Sequence, residues 1–129
     1  GQKAVHGHKE CAAVADARAS HQLGKRIEAE VEAGHNSDAV SLFHDSGKLL
    51  AVPVEVLPYL VRAFLDTDPD GLVAAMMEHV ATHAASLATP KAAAAVLDSV
   101  ARNGKVEIMQ ELADGFHHRL HIPRGPAFY

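Results

Sequence analysis

The sequence predicts an all-α protein, a short right-handed α-solenoid of antiparallel helix pairs. Hydrophobic residues make up 48% of the chain but aromatic residues only 5%, and alanine dominates the hydrophobic fraction. Small side chains suit closely stacked helices better than a sheet core. Apolar residues recur every three or four positions, which indicates one buried face along each helix. Prolines at 53, 90 and 123 each open a new pattern, and their intervals of 37 and 33 residues fit two-helix repeats.

The predicted organisation is a single helical-repeat domain over residues 1–129. It divides into a helical N-terminal part at 8–48, repeat-like units at 53–89 and 90–122, and the start of a further helix at 123–129. Each two-helix unit has an apolar face that it cannot bury alone, so we expect neighbouring units to stack.

The N-terminal part is expected to contain three helices. The first covers residues 9–20, and residues 21–24 are predicted to break the chain before the second. Gly34 is the predicted C-cap of the second helix, because glycine tolerates the left-handed conformation found there. Ser37 is the predicted N-cap of a short third helix, which Gly47 ends.

The unit that opens at Pro53 is predicted to hold two helices separated by an acidic turn at 66–71. Pro58 should lie in the first turn of the first helix, since a proline deeper inside a helix costs about 3 kcal/mol. Asp70 is the predicted N-cap of the second helix, whose apolar stripe extends to Ala84.

The unit that opens at Pro90 has the clearest helical pattern. Pro90 suits the first position of a helix, where its missing N–H leaves nothing unpaired. Asn103 and Gly104 predict the end of that helix, because both residues tolerate a left-handed conformation. The second helix carries one apolar stripe, formed by Val106, Met109, Leu112, Ala113, Phe116 and Leu120.

This last unit resembles a pentatricopeptide (PPR) repeat. The resemblance lies in the turn Ala-Arg-Asn-Gly-Lys-Val-Glu at 101–107, in the closing His-Ile-Pro at 121–123, and in the aromatic pair at 128–129. The family typically has a Lys/Asn-Gly-Lys/Arg-Val-Glu turn, a closing Ile-x-Pro and an aromatic opening to the next repeat. The resemblance implies a degenerate PPR- or TPR-like solenoid. It also implies RNA binding as the usual function, with polar residues early in each first helix reading single bases.

The positions that correspond to these base-reading residues lack hydrogen-bonding side chains in this sequence. They are Ala92 and Ala95, with Pro90 at the repeat junction, and Pro58 in the preceding unit. Alanine has no side-chain donor or acceptor and therefore cannot discriminate base edges. We therefore expect a non-catalytic accessory subunit that docks onto other proteins.

The resemblance also suggests where such a subunit acts. It implies the mitochondrial matrix and a large assembly such as ATP synthase or the ribosome. RNA binding through contacts to the nucleic-acid backbone, within an organellar ribonucleoprotein, is the first alternative.

Charge and cysteine content favour some classes of protein over others. The 16 acidic and 12 basic residues give a net charge of −4, which argues against a nonspecific nucleic-acid binder. Cys11 is the single cysteine, so no internal disulfide is expected, and its Ala- and Val-rich surroundings predict a buried, inert thiol. A reducing compartment is the simple inference. No apolar run approaches the length of a membrane span, and the acid-free residues 1–9 leave a trimmed organellar presequence open.

The segment His-Asp-Ser-Gly-Lys at 44–48 provides an enzymatic alternative. It resembles the His-Asp-x-Gly-Lys motif of the all-helical HD-domain metallophosphohydrolases, in which the adjacent His and Asp bind a divalent metal. Ser46 departs from the apolar residue usual at its position. The simpler interpretation is a helix C-terminus, at which His44 interacts favourably with the helix dipole. Further metal ligands would come from distant helices, and the possible residues are His8, His21, His79, His83 and Asp98.

Two other patterns have metal-binding spacing without a complete ligand set. The turn at 66–71 resembles the start of an EF-hand loop through Asp66, Asp68 and Asp70, but Met77 stands where the loop needs a bidentate Glu. The pairs His79/His83 and His117/His121 each share a helical face and each lack a third ligand. The sequence therefore predicts no catalytic residue, no metal site and no cofactor.

Overall fold

A computed structural model describes residues 2–123 of the chain, with side chains described from residue 16 onward. Over residues 2–123 the chain is helical and contains no β-strand, which confirms the all-α fold class. The α-helices are α1 (Gln2–Glu32), α2 (Asn36–Ser46), α3 (Leu57–Thr67), α4 (Leu72–Thr82), α5 (Ala84–Leu87), α6 (Pro90–Arg102) and α7 (Val106–Asp114). Two 3-10 turns lie at Val54–Val56 and Pro69–Gly71, and a π-helical turn follows α7 at Gly115–Arg119.

Helix α1 is continuous through residues 21–24, so the predicted break there is wrong. Gly24 is buried inside the helix, and a Cβ at this position would lie 3.0 Å from the ring of Pro53. Glycine in a helix interior costs about 1 kcal/mol relative to alanine. Here it lets the chain around Pro53 pack directly on the α1 backbone, which the local sequence pattern does not reveal.

Two caps were predicted at the turn between α1 and α2, and one prediction is confirmed while the other is wrong. Gly34 has φ +83°, as expected for a left-handed C-cap. The N-cap of α2 is His35, whereas Ser37 lies inside the first turn, so the predicted Ser37 cap is wrong. Gly47 ends α2 as predicted, and its N–H donates to the carbonyl of Phe43 at 2.7 Å.

In the unit that begins at Pro53, the prediction for the first helix is confirmed. Pro58 lies in the first turn of α3. The predicted Asp70 cap is wrong, because the carboxylate that accepts the Gly71 N–H belongs to Asp68, at 3.1 Å. The second helix also ends earlier than its apolar stripe, since α4 stops before His83 and the short α5 follows.

The unit that begins at Pro90 follows its sequence pattern most closely. Pro90 is the first residue of α6, and the hydroxyl of Thr89 accepts the Ala92 N–H at 3.1 Å. Gly104 has φ +75° in the turn that leads to α7, as its predicted role requires. The predicted second helix continues past Asp114 as the π-helical turn, so its last apolar residues follow a different periodicity. Pro123 is the last described residue, and the rest of the helix expected at 123–129 lies outside the described part of the chain.

One hydrophobic core connects the helices. Helix α3 packs against α1, α2 and α6, while α7 packs against α6 and α4. Burying each large aliphatic side chain contributes about 1.5–3 kcal/mol. The core side chains with 0% exposure include Ile27, Leu57, Leu60, Val61, Phe64, Leu72, Met76, Val96, Val100 and Leu112. No helix within residues 2–123 combines the length and the apolar character needed to cross a membrane.

Candidate functional site

A shallow groove of about 630 Å³ lies between α6 and the segment that leads into α3. We call it the α6 groove. Ser99, which is buried, links its two sides by donating a hydrogen bond from its hydroxyl to the carbonyl of Pro58 at 3.4 Å. The groove is lined by Val54, Glu55, Pro58, Lys91, Ala94, Ala95, Leu97, Asp98, Ala101 and Met109.

Apolar side chains form most of the wall of the α6 groove. Its charged residues are Glu55, Lys91 and Asp98, so both signs are present, and no aromatic side chain lines it. Asp98 also pairs with Arg102 at 2.9 Å. Apolar walls with a mixed-charge border are typical of surfaces that bind proteins, whereas sites for single-stranded nucleic acid combine positive charge with stacking aromatic side chains.

The two alanines that correspond to base-reading positions have different environments. Ala92 is 1% exposed in the core, so its side chain faces other helices. Ala95 is half-buried and lines the α6 groove. A substitution at Ala92 would therefore disturb packing, and Ala95 is the position of the two that a bound partner could contact.

A second apolar pocket adjoins the α6 groove. Its volume is about 200 Å³, and it shares Leu97 and Met109 with the groove. Phe116 and Ile122, both buried, contribute to its wall. The concave apolar surface therefore extends from the start of α3 across α6 to the end of α7.

His44 and Asp45 are both exposed at the C-terminal end of α2. The His44 ring packs edge-on against the ring of Phe64 and lies tilted against the ring of Phe43, with centroids 5.7 and 5.6 Å away. A pocket of about 80 Å³ beside these rings is lined by His44 and also by Glu78 and His79.

The other residues considered as ligands for an HD-type metal site have different roles. His21 is exposed, and Asp98 pairs with Arg102. His83 lies next to the carbonyl of Gly47, with its Nε2 at 2.6 Å from the oxygen. The side chains of His8 and Cys11 lie outside the part of the chain whose side chains are described. Among the described side chains, none of these residues joins His44 and Asp45 in a three-ligand cluster.

His79 is buried, with 4% of its surface exposed, and both sides of its ring are in contact with other groups. Its Nε2 accepts the backbone N–H of Val52 at 3.1 Å, which requires a neutral ring with the proton on Nδ1. Burial, together with the neighbouring His83, lowers the pKa of His79 from 6.5 to about 4. This histidine therefore connects α4 to the loop before α3, and its unprotonated nitrogen is already occupied by the Val52 N–H.

The acidic turn at 66–71 and the C-terminal histidines also form no ion site among the described side chains. Asp66 accepts a hydrogen bond from the Asn36 amide at 2.9 Å, and Asp68 caps its own turn. His117, His118 and His121 line a pocket of about 300 Å³ at the end of α7.

A group that the sequence pattern did not single out lies at the corner between α1 and α2. Glu30, His35 and Asp38 each offer one ligand atom, and these atoms all lie within 4.8 Å of one another. The signal that could have found the group is an acid before the Gly34 cap, followed by a histidine and a second acid in the next helical turn.

Comparison of the chain with protein-family models, with curated proteins and with solved structures gives no match.

Proposed function

We propose that this chain is a non-catalytic, PPR-like helical-repeat module that docks onto another protein through the α6 groove. In this proposal the helix pairs stack as a short right-handed solenoid, and the module is an accessory subunit of a large mitochondrial assembly such as ATP synthase or the ribosome. The observation that carries the docking function is the apolar, mixed-charge character of the groove. The mitochondrial address is supported by the PPR resemblance of residues 101–123 alone.

The groove has the physical properties that a protein partner needs. Removing apolar surface from water contributes about 25 cal/mol per Å², and the groove is lined by the half-buried side chains of Val54, Pro58 and Met109. Alanines on α6 let an incoming backbone approach closely. Repeat modules of this type commonly bind their partners along an extended concave surface.

RNA is a poorer match to the same surface. Lys91 is the one basic residue in the groove, and it shares the groove with two acids. Affinity for RNA comes mainly from neutralising several phosphates with basic side chains. The described basic residues outside the groove include Arg62, Arg102, Lys105 and Arg119, and they lie on α3, on α6 and its turn, and on the π-helical turn.

Site-specific photo-crosslinking in the native source tests the docking function. A photoreactive amino acid at Ala101, which is exposed and lines the groove, should yield a discrete protein adduct that resists ribonuclease. The matched control is the same amino acid at Ala85, which is exposed on α5 outside the groove. The control position should give no such adduct.

The outcomes separate the alternatives. An adduct of RNA at position 101 would contradict the proposal and favour the ribonucleoprotein alternative. Equal protein adducts at positions 101 and 85, or none at 101, would also contradict it. Cell fractionation of the tagged full-length protein tests the mitochondrial address separately, and recovery outside the mitochondria would exclude the address without excluding the groove.

A further inference from the structure

We propose that Glu30, His35 and Asp38 bind one divalent transition-metal ion, with Zn²⁺ as the expected ion, at the corner between α1 and α2. This site goes beyond the proposed docking function and lies on different helices from the α6 groove. Among the residues whose side chains are described, it is the group of potential ligands whose donor atoms converge within 4.8 Å.

The backbone of this corner holds the three residues in fixed relation. Gly34, at φ +83°, reverses the chain after α1. The His35 N–H then donates to the carbonyl of Glu30 at 2.7 Å, and the Ala39 N–H donates to the carbonyl of His35 at 3.1 Å. These bonds connect the last turn of α1, the linking residue and the first turn of α2. The backbone positions from which the three side chains extend are therefore fixed before an ion binds.

The spacing of the donor atoms fits a small ion. Zinc bonds to nitrogen and oxygen ligands are about 2.0–2.1 Å long, so two ligands of a tetrahedral ion lie about 3.3 Å apart. His35 Nδ1 and Glu30 Oε2 are 3.2 Å apart. Two of the three donors therefore already have the separation that the ion requires, and a carboxylate oxygen of the exposed Asp38 lies within 4.8 Å of both.

The chemistry of the donors selects the class of metal. An imidazole nitrogen favours Zn²⁺, Co²⁺ and Ni²⁺ over Mg²⁺ and Ca²⁺, which prefer oxygen ligands alone. Two carboxylates supply negative charge that the ion neutralises. A metal ion binds Nδ1 of the neutral ring whose single proton is on Nε2, so any proton on the Nδ1 that faces Glu30 is released to solvent when the ion binds. Three protein ligands leave a further position for water.

The histidines that follow α7 are a second group of potential metal ligands, and they can be compared with the α1–α2 corner. His117, His118 and His121 line one pocket, and the rings of His117 and His118 lie 4.7 Å apart. Their donor atoms do not meet the 4.8 Å convergence that the α1–α2 corner meets. A titration with metal ion can therefore distinguish the three-ligand site at the α1–α2 corner from the histidines that follow α7.

The test is a Zn²⁺ titration of the purified full-length chain after treatment with a chelator, followed by calorimetry and by amide NMR shifts. We expect one principal site, with the largest shifts at residues 30–38. Asp38→Asn and His35→Gln should each weaken Zn²⁺ binding by about tenfold or more. The matched controls are Asp45→Asn and His44→Gln at the other end of α2, and these should leave the affinity unchanged.

Several results would overturn the proposal. They are unchanged affinity in Asp38→Asn, loss of affinity in Asp45→Asn, principal shifts at residues 117–121, or no saturable binding. Excess Mg²⁺ that displaces Zn²⁺ would also contradict it, because an imidazole-containing site should prefer zinc. Circular dichroism without metal checks that the variants fold, and should His35→Gln lose structure, the comparison of Asp38→Asn with Asp45→Asn decides alone.

Discussion

His79 shows how one side chain joins segments that are far apart in the chain. Its ring lies between the ring of Phe43, with centroids 4.8 Å apart, and the ring of His83, at 4.7 Å. Its Nε2 satisfies the buried N–H of Val52, a group that would destabilise the fold by about 1–3 kcal/mol if left without a partner. In a protonated ring Nε2 would carry a hydrogen and could not accept the Val52 N–H, so the fold requires the neutral form.

The pKa of His79 predicts acid sensitivity. It is about 4 in the folded protein against 6.5 for an unperturbed histidine. Between these two values the unfolded chain binds more protons than the folded protein, so stability falls as the pH falls. The contribution of His79 to the free energy of unfolding is complete above pH 6.5 and is lost as the pH falls towards 4. The free energy of unfolding should change by at most about 1.4 kcal/mol per pH unit in this range. Urea unfolding measured between pH 7.5 and pH 4 should show this decline.

Two measurements check that His79 is responsible. In His79→Gln the amide oxygen can still accept the Val52 N–H, and the slope between pH 6.5 and pH 4 should be smaller than in the unsubstituted protein. His44→Gln, at an exposed histidine, is the control and should keep the slope. A ring titration of His79 by NMR near pH 6.5 in the folded protein would refute the prediction.

At the scale of single elements, the helix ends depend on which side chain reaches the free N–H groups. Thr89 and Ser37 both have a hydroxyl that could cap a helix, although only Ser37 was predicted to do so. The hydroxyl of Thr89 accepts the Ala92 N–H, whereas Ser37 lies inside the first turn of α2 and the side chain of the N-cap residue makes no capping bond. The chain before α2 is already turned by Gly34 and its backbone bonds, so the helix begins before Ser37.

The difference between these two residues can be measured. Thr89→Ala removes a cap bond and should lower the free energy of unfolding by about 1 kcal/mol. Ser37→Ala removes no cap and places a better helix former on an exposed position, so its effect should lie within about 0.5 kcal/mol of zero. Chemical denaturation of the two variants gives both values. A loss at Ser37→Ala as large as at Thr89→Ala would show that the serine caps α2.

At the scale of the whole molecule, α3 connects the N-terminal helices to the C-terminal pair. It packs on α1 and α2 on one side and on α6 on another, while α7 packs on α6 and α4. In a stack of repeats each unit contacts mainly its neighbours, so stability is distributed along the chain. We then expect parts of the protein to unfold separately, and the terminal unit should unfold at a lower free energy than the central helices.

Two buried leucines test this distribution. Leu60 in α3 and Leu112 in α7 are both 0% exposed, and either change to alanine should cost about 2–5 kcal/mol. Hydrogen exchange should show that Leu112→Ala lowers protection in α6 and α7 while α1 and α2 keep theirs. Leu60→Ala should lower protection in every helix.

The matched control is Leu49→Ala, because this leucine is 86% exposed. Its effect on the free energy of unfolding should stay within about 0.5 kcal/mol. An equal loss of protection in all helices of Leu112→Ala would show one fully cooperative unit and would argue against the proposed solenoid.

The sequence by itself determined the local features of this protein. The helical fold class, the first helical turn at Pro58, the helix start at Pro90 and the turns at Gly34 and Gly104 follow from backbone sterics and apolar periodicity. These effects act within about one or two helical turns, so the residues that cause them are neighbours in the chain.

Only the tertiary structure decided which distant groups meet. Gly24 lies inside α1 with Pro53 packed against it, and burial in the core lowers the pKa of His79, whose Nε2 accepts the Val52 N–H. The α6 groove likewise depends on how α6 packs against the segment before α3, which is more than 30 residues away in the chain. The free energy of packing depends on shape and burial across the whole core, and it outweighs local helix propensities of about 1 kcal/mol. A local sequence pattern therefore cannot predict it.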